Sequence, residues 1–161
     1  LINHSFRFVE IKNNKVTIMR KTIYGVQPKA YEGMLLLEKY LNESELTPIH
    51  KELIKIRASQ LNGCGYCLDI HTQDALKHGE SVRRLLVLAG WQETELFTEE
   101  ERVILEMTEA VTFIHQGGIS DTLYAQAEEL FGEVYLAQLI MCMVTINAWN
   151  RIGVATHLKA K

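Results

Sequence analysis

The chain has 161 residues, 47% of them hydrophobic and 23% charged, one domain's worth of sequence with enough apolar material for a core without disulfide staples. A formal net charge of −3 leaves no basic footprint and excludes nucleic acid as an expected partner. Only two prolines occur, Pro28 and Pro48, and with Ala, Leu, Glu, Lys and Ile abundant the composition points to an all-α fold.

Residues 1–18 stand apart from the rest of the chain. The runs FRFVEI (6–11) and VTIMR (16–20) are rich in β-formers and flank KNNK (12–15), which predicts a short hairpin. The chain does not begin with Met, and Met19 falls where helical composition takes over. Residues 1–18 therefore read as an N-terminal extension, either upstream sequence or a genuine arm, and 19–161 as one helical domain. Pro28 suits a helix's first turn, and Tyr31, Met34, Leu35, Leu37, Glu38 and Leu41 continue an amphipathic segment. Thr47-Pro48 opens a second helix, with apolar positions Ile49, Leu53, Ile56 and Leu61, and Asn62-Gly63 ends it. A third helix starts at a cysteine pair and runs to Lys77 or His78, and Ser81 caps a short fourth through Ala89. Thr98 and Glu101 form a capping box for a helix with the stripe Val103, Met107, Val111 and Ile114, broken at Gly117-Gly118. Ser120 caps the next helix, toward Phe131-Gly132, and a last one spans about 134–150.

The apolar run Val134–Trp149 is interrupted by Gln138, Thr145 and Asn147 and falls short of the ~20 residues of a membrane span. It is apolar on nearly every face, which predicts a helix buried in a core or at a subunit contact, and hence a homo-oligomer. The first residues lack an apolar signal-peptide core. Three cysteines, one pair closely spaced, fit a cytosolic redox or metal motif better than a disulfide framework. The expectation is a cytoplasmic protein with no membrane partner.

The chemistry concentrates in NGCGYCLDIHT, residues 62–72. Positions three and four apart share a helix face, so a helix starting near Cys64 aligns Cys64, Cys67 and His71. Unpaired N–H groups and the helix dipole in its first turn favour a thiolate, and thiolate is the nucleophile. His71, one turn beyond Cys67, is placed to move its proton. Glu52 lies on the preceding helix and can orient the imidazole, completing a carboxylate–imidazole–thiol relay. The same four side chains are also ligand types that zinc accepts, although no second Cys/His cluster accompanies them. Cys142, in LIMCMV, reads as inert core. His50 and His78 read as surface, Ser59 and Asn62 as turn-shaping, and Asn147, Trp149, Asn150 and Arg151 as packing.

Glu52, eleven intervening residues, Cys64-Gly-Tyr-Cys67, three residues and His71 resemble the signature of the AhpD-like alkylhydroperoxidases of the carboxymuconolactone decarboxylase superfamily. The segment from Glu52 to Ser81 and INAWNRIGVA (146–155) look like that family's core and C-terminal helix, so the likeness covers roughly 28–155. It implies an all-helical, oligomeric, cofactor-free and metal-free thiol peroxidase or disulfide reductase. Cys67 is then the peroxidatic thiol, Cys64 the resolving one through an intramolecular disulfide, and Glu52 and His71 the proton relay. A hydroperoxide is the implied substrate and a lipoyl-bearing or thioredoxin-like dithiol the implied reductant. The decarboxylase branch does not rely on the cysteine pair. One departure stands out: Tyr66 occupies a position where peroxidase members carry histidine, and a phenol with an ordinary pKa of about 10 is a hydrogen-bond donor rather than a base. Tyr66 favours a rival reading, a thiol–disulfide adaptor acting on a partner protein. A zinc-bound, non-catalytic helical oligomer is the reading from another class.

Overall fold

The computed structural model describes residues 9–12, 15–18 and 20–160. Strands β1 (Val9–Lys12) and β2 (Lys15–Ile18) pair antiparallel, with Val9 opposite Ile18 and Lys12 opposite Lys15. The expected hairpin is therefore present in its strands, while its turn and residues 1–8 of the extension lie outside the described residues. Everything after it is helical: α1 (Ile23–Val26), α2 (Pro28–Asn42), α3 (Pro48–Asn62), α4 (Gly65–Lys77), α5 (Val82–Val87), α6 (Glu99–Thr112) and α7 (Asp121–Thr156).

The N-caps read from the sequence are the N-caps that form, although α6 ends at Thr112, and Ile114–Gln116 makes a 3₁₀ turn before Gly117. Thr47 Oγ1 accepts from the His50 N–H ahead of Pro48, and α3 closes on Gly63 in the left-handed region. Thr98 and Glu101 make a reciprocal capping box. The fourth helix is α-helical only to Val87 and continues as a 3₁₀ turn over Leu88–Glu93. Gly132, at φ 72° and ψ 164°, bends α7 into two segments, because only glycine takes that backbone geometry cheaply. The second segment runs to Thr156, beyond the expected end near 150. By length and composition α7 could cross a membrane, but Leu136, Leu139, Cys142, Met143 and Ile146 instead build the core with Ile54, Ala58, Ile104 and Met107.

Helix α3 is the axis of the domain and packs against α4, α6 and α7. Residues Glu52 through Ser59 are buried without interruption, so α3 has no solvated face along that stretch. Its charges are matched by other helices: Lys55 Nζ lies 3.2 Å from Glu38 of α2, and Arg57 lies 2.8 Å from Glu109 of α6. Pairing is what makes such burial tolerable, since an isolated charge in the interior is costly. A second core of Leu53, Ile56, Ala75, Leu88, Trp91, Phe97 and Leu105 fills the space between α3, α4 and the 3₁₀ turn.

Candidate active site

The turn between α3 and α4 sets the cysteines. After Gly63, Cys64 leaves helical geometry and becomes the N-cap of α4, its Sγ accepting from the Cys67 N–H at 3.4 Å. The Cys64 N–H donates back to Ser59 O at 3.0 Å, fixing the cap to α3. Cys64 and Cys67 are joined as a disulfide and both are buried. An asparagine lock holds this turn against α7. Asn62 Nδ2 donates to Ala58 O and to the Oδ1 atoms of Asn147 and Asn150, and Asn150 Nδ2 donates to Ser59 Oγ. Asn62, Asn147, Asn150 and Ser59 thus have the packing and turn-shaping roles expected of them.

His71 projects from α4 toward α3, where its Nδ1 lies 2.9 Å from Glu52 Oε2. A carboxylate can only accept, so Nδ1 carries the proton, and Nε2 has no protein partner among the described residues. Glu52 is 8% exposed, a buried carboxylate held for this contact rather than on a solvated face. Cys67, His71, Glu52 and Tyr66 border one cavity of about 520 Å³. Cys64 borders a neighbouring cavity of about 240 Å³, beside Gly153 and His157. Sequence spacing aligned Cys64 with the other two; as an N-cap with φ −87° and ψ 87° it departs from the helical progression, so only Cys67 and His71 share the larger cavity. Tyr66 stands at the rim, 37% exposed.

The opposite wall comes from residues whose sequence pattern marked them only as helix or packing positions. Trp149 Nε1 donates to Glu38 Oε1 at 2.8 Å, and Glu38 Oε2 accepts from Lys55 at 3.2 Å. Burial is the strongest single influence on the Lys55 ammonium and opposes it, but the negative groups around it, Glu38 foremost and Glu52 among them, together hold the amine above its ordinary value. Tyr31 packs edge-on against Trp149 with ring centroids 4.9 Å apart. Burial first, and the neighbouring Tyr66 second, push the Tyr31 phenol upward. No local signal marked Glu38 and Trp149, which meet only when α2 and α7 pack. Cys142 is fully buried, and burial raises its thiol to about 12. His78 is exposed as expected, whereas His50 is half-buried and its Nδ1 lies 2.7 Å from the Tyr135 hydroxyl. Among the described residues no three His, Cys, Asp or Glu side chains converge as metal ligands do.

Comparison with known proteins places this arrangement in a family. Residues 28–110 match the carboxymuconolactone decarboxylase family, a span that contains Glu52, both site cysteines, Tyr66 and His71. An uncharacterised protein, YdfG of Bacillus subtilis, is 38% identical over 88% of this chain and 96% of its own length. A solved structure from Agrobacterium tumefaciens, of unknown function and provisionally named antioxidant defence protein AhpD, superposes with a TM-score of 0.85 at 30% identity. That match covers 89% of this chain and 98% of the other. An uncharacterised peroxidase-related protein from Silicibacter sp. TM1040 shares the fold, with a TM-score of 0.75 at 18% identity over 86% of this chain and 73% of its own. The chain belongs to the carboxymuconolactone decarboxylase family, as one of its AhpD-like members.

Proposed function

We propose that the protein is a thiol peroxidase that reduces organic hydroperoxides through the Cys64–Cys67 pair. The observation that carries this reading is that Cys67 and the Glu52–His71 pair open onto one cavity while Cys64 does not. Tyr31, Ile70, Trp149 and Leu158 add apolar surface to that cavity, which suits an alkyl group better than a bare peroxide. In the reduced pair, the Cys67 thiolate attacks one peroxide oxygen and the O–O bond breaks. The leaving alkoxide takes a proton by way of His71 and departs as an alcohol, while Cys67 becomes a sulfenic acid. Glu52 fixes the imidazole and balances the charge it gains. The Cys64 thiol then attacks Cys67 Sγ, water leaves, and the disulfide forms. An external dithiol of lipoyl or thioredoxin-like type returns two electrons and two protons. Tyr66, at the rim, is suited to donate a hydrogen bond to the departing oxygen. We place the protein in the cytoplasm as a homo-oligomer.

The test is thiol counting by mass spectrometry on reduced protein before and after one equivalent of cumene hydroperoxide. Rapid loss of two alkylatable thiols with a Cys64–Cys67 disulfide is the expected outcome. Thiols that survive peroxide yet are oxidised by a lipoyl or thioredoxin-like disulfide would replace this reading with that of an adaptor.

A further inference from the structure

Gly153 sits near the end of α7 with ordinary helical geometry, so its backbone does not call for glycine. Alanine is the better residue in a helix. A Cβ at this position, however, would lie 3.0 Å from Cys64 Sγ and 3.7 Å from Cys67 Sγ, and outside α7's own backbone the two sulfurs are the only neighbours within 4 Å among the described residues. Even carbon pairs settle at about 3.5–4.0 Å, and sulfur is larger. The helix cannot simply retreat, because Asn150 ties it to Ser59 and Asn62 on the other side of the same turn. Nor is its end loose: Gly153 O accepts from the Leu158 N–H at 3.0 Å.

We infer that Gly153 is a positioning residue of the redox pair: the side chain it lacks is the space that Cys64 Sγ occupies when bonded to Cys67. The inference rests on the pair cycling between dithiol and disulfide, as proposed above, but not on peroxide being the oxidant. In the dithiol form the Cys64 side chain is free to rotate to another staggered position; in the disulfide it is not. A methyl group at 153 therefore penalises the disulfide more than the dithiol and makes the pair easier to reduce.

The experiment equilibrates wild type and Gly153→Ala with mixtures of reduced and oxidised dithiothreitol, and reads the dithiol fraction by alkylation and mass spectrometry. In the exchange, the two reagent thiols close to a cyclic disulfide and pass two electrons and two protons to Cys64 and Cys67, whose S–S bond breaks. The variant is expected to reach half-reduction at a reduced-to-oxidised reagent ratio about tenfold lower than wild type, or ~30 mV for this two-electron couple. A midpoint within twofold of wild type, or shifted toward the disulfide, overturns the inference. A second comparison adds Gly153→Ala to a Cys64→Ala background and follows thermal unfolding under reductant. With the sulfur gone, alanine at 153 should raise the Tm; a fall there would show that the crowding is not with Cys64. A wild-type pair that closes in this reagent but not with cumene hydroperoxide defeats the peroxidase reading, and the midpoints still decide the role of Gly153.

Discussion

At the scale of single residues, two thiols at the start of one helix face different surroundings. Cys67 shares its cavity with an imidazole one turn away, whereas Cys64 serves as N-cap on the other side of the turn. If the roles follow the surroundings, Cys67→Ser abolishes peroxide turnover, while Cys64→Ser lets Cys67 oxidise but leaves it as a sulfenic acid or mixed disulfide. Equal residual turnover in both variants would defeat the assignment. The proposed attack on peroxide requires the Cys67 thiolate at neutral pH, and His71, one turn along α4 and bordering the same cavity, is placed to take that proton. His71→Ala should slow iodoacetamide alkylation of reduced Cys67 at pH 7 by roughly tenfold; an unchanged rate argues against the relay. Cys142 provides the internal control. Burial raises its thiol to about 12, so reduced native protein at pH 8 should take up two equivalents of alkylating agent and the unfolded chain three. Of these features, the thiols and His71 were legible in the sequence because their spacing is local, whereas Glu52, 19 positions from His71 on another helix, was legible chiefly through the family likeness. Gly153 was not: a glycine's reason here lies in a neighbour 89 positions away along the chain.

At the scale of elements, α3 shows why a charged residue in a sequence need not mark a solvated face. Lys55 is 7% exposed, and the carboxylate it hydrogen-bonds is Glu38, which α2 brings from 17 positions away. Removing one partner leaves the other buried and uncompensated, so Glu38→Ala should destabilise the domain by about 3–5 kcal/mol. Chemical denaturation measures it, and a loss under 1 kcal/mol would mean that water already solvates the Lys55 amine. The contact between α3 and the bent α7 carries a pH dependence of its own. Burial pulls the His50 imidazole below its ordinary value, against the upward pull of Glu101 and Glu100. The folded state therefore binds fewer protons at this group than the unfolded chain below about pH 6.5. Its contribution to stability is present above that pH and lost as pH falls through the lower folded value. His50→Gln should flatten the decline in Tm between pH 7 and pH 5 relative to wild type; parallel curves would exclude His50 as a source.

At the scale of the whole molecule, what the sequence disclosed and what it withheld divide along contact range. Helix starts at Thr47, Thr98 and Ser120 were readable because a cap is a contact three residues long. The extension of α7 to Thr156 was not readable from propensity, since Gly153, Val154 and Thr156 are weak helix formers; only the family likeness over 146–155 pointed to it. Of the two places expected for the apolar run Val134–Trp149, core or subunit contact, the core takes most of it. Much of Val134–Trp149 turns inward, leaving Val134 and Val144 as its exposed large apolar residues. The larger uncovered patch is on α1 and α2. Leu41 is the single buried residue of α2, while Tyr24, Val26, Leu35, Leu36 and Tyr40 are exposed, Leu36 by 67%. A helix with that much apolar surface and so little of it covered by the described residues is the natural seat of a subunit contact. Light scattering on purified protein should then give a closed dimer or trimer rather than the 18.4 kDa monomer, and Leu36→Glu should shift it toward monomer. Because α2 also supplies Tyr31 and Glu38 to the cavity wall, the monomeric variant should lose peroxide turnover even though Cys64, Cys67 and His71 are untouched. A wild type that is monomeric at all concentrations removes the oligomer from the account. A Leu36→Glu variant that is monomeric yet fully active shows instead that the cavity wall stands without the subunit contact.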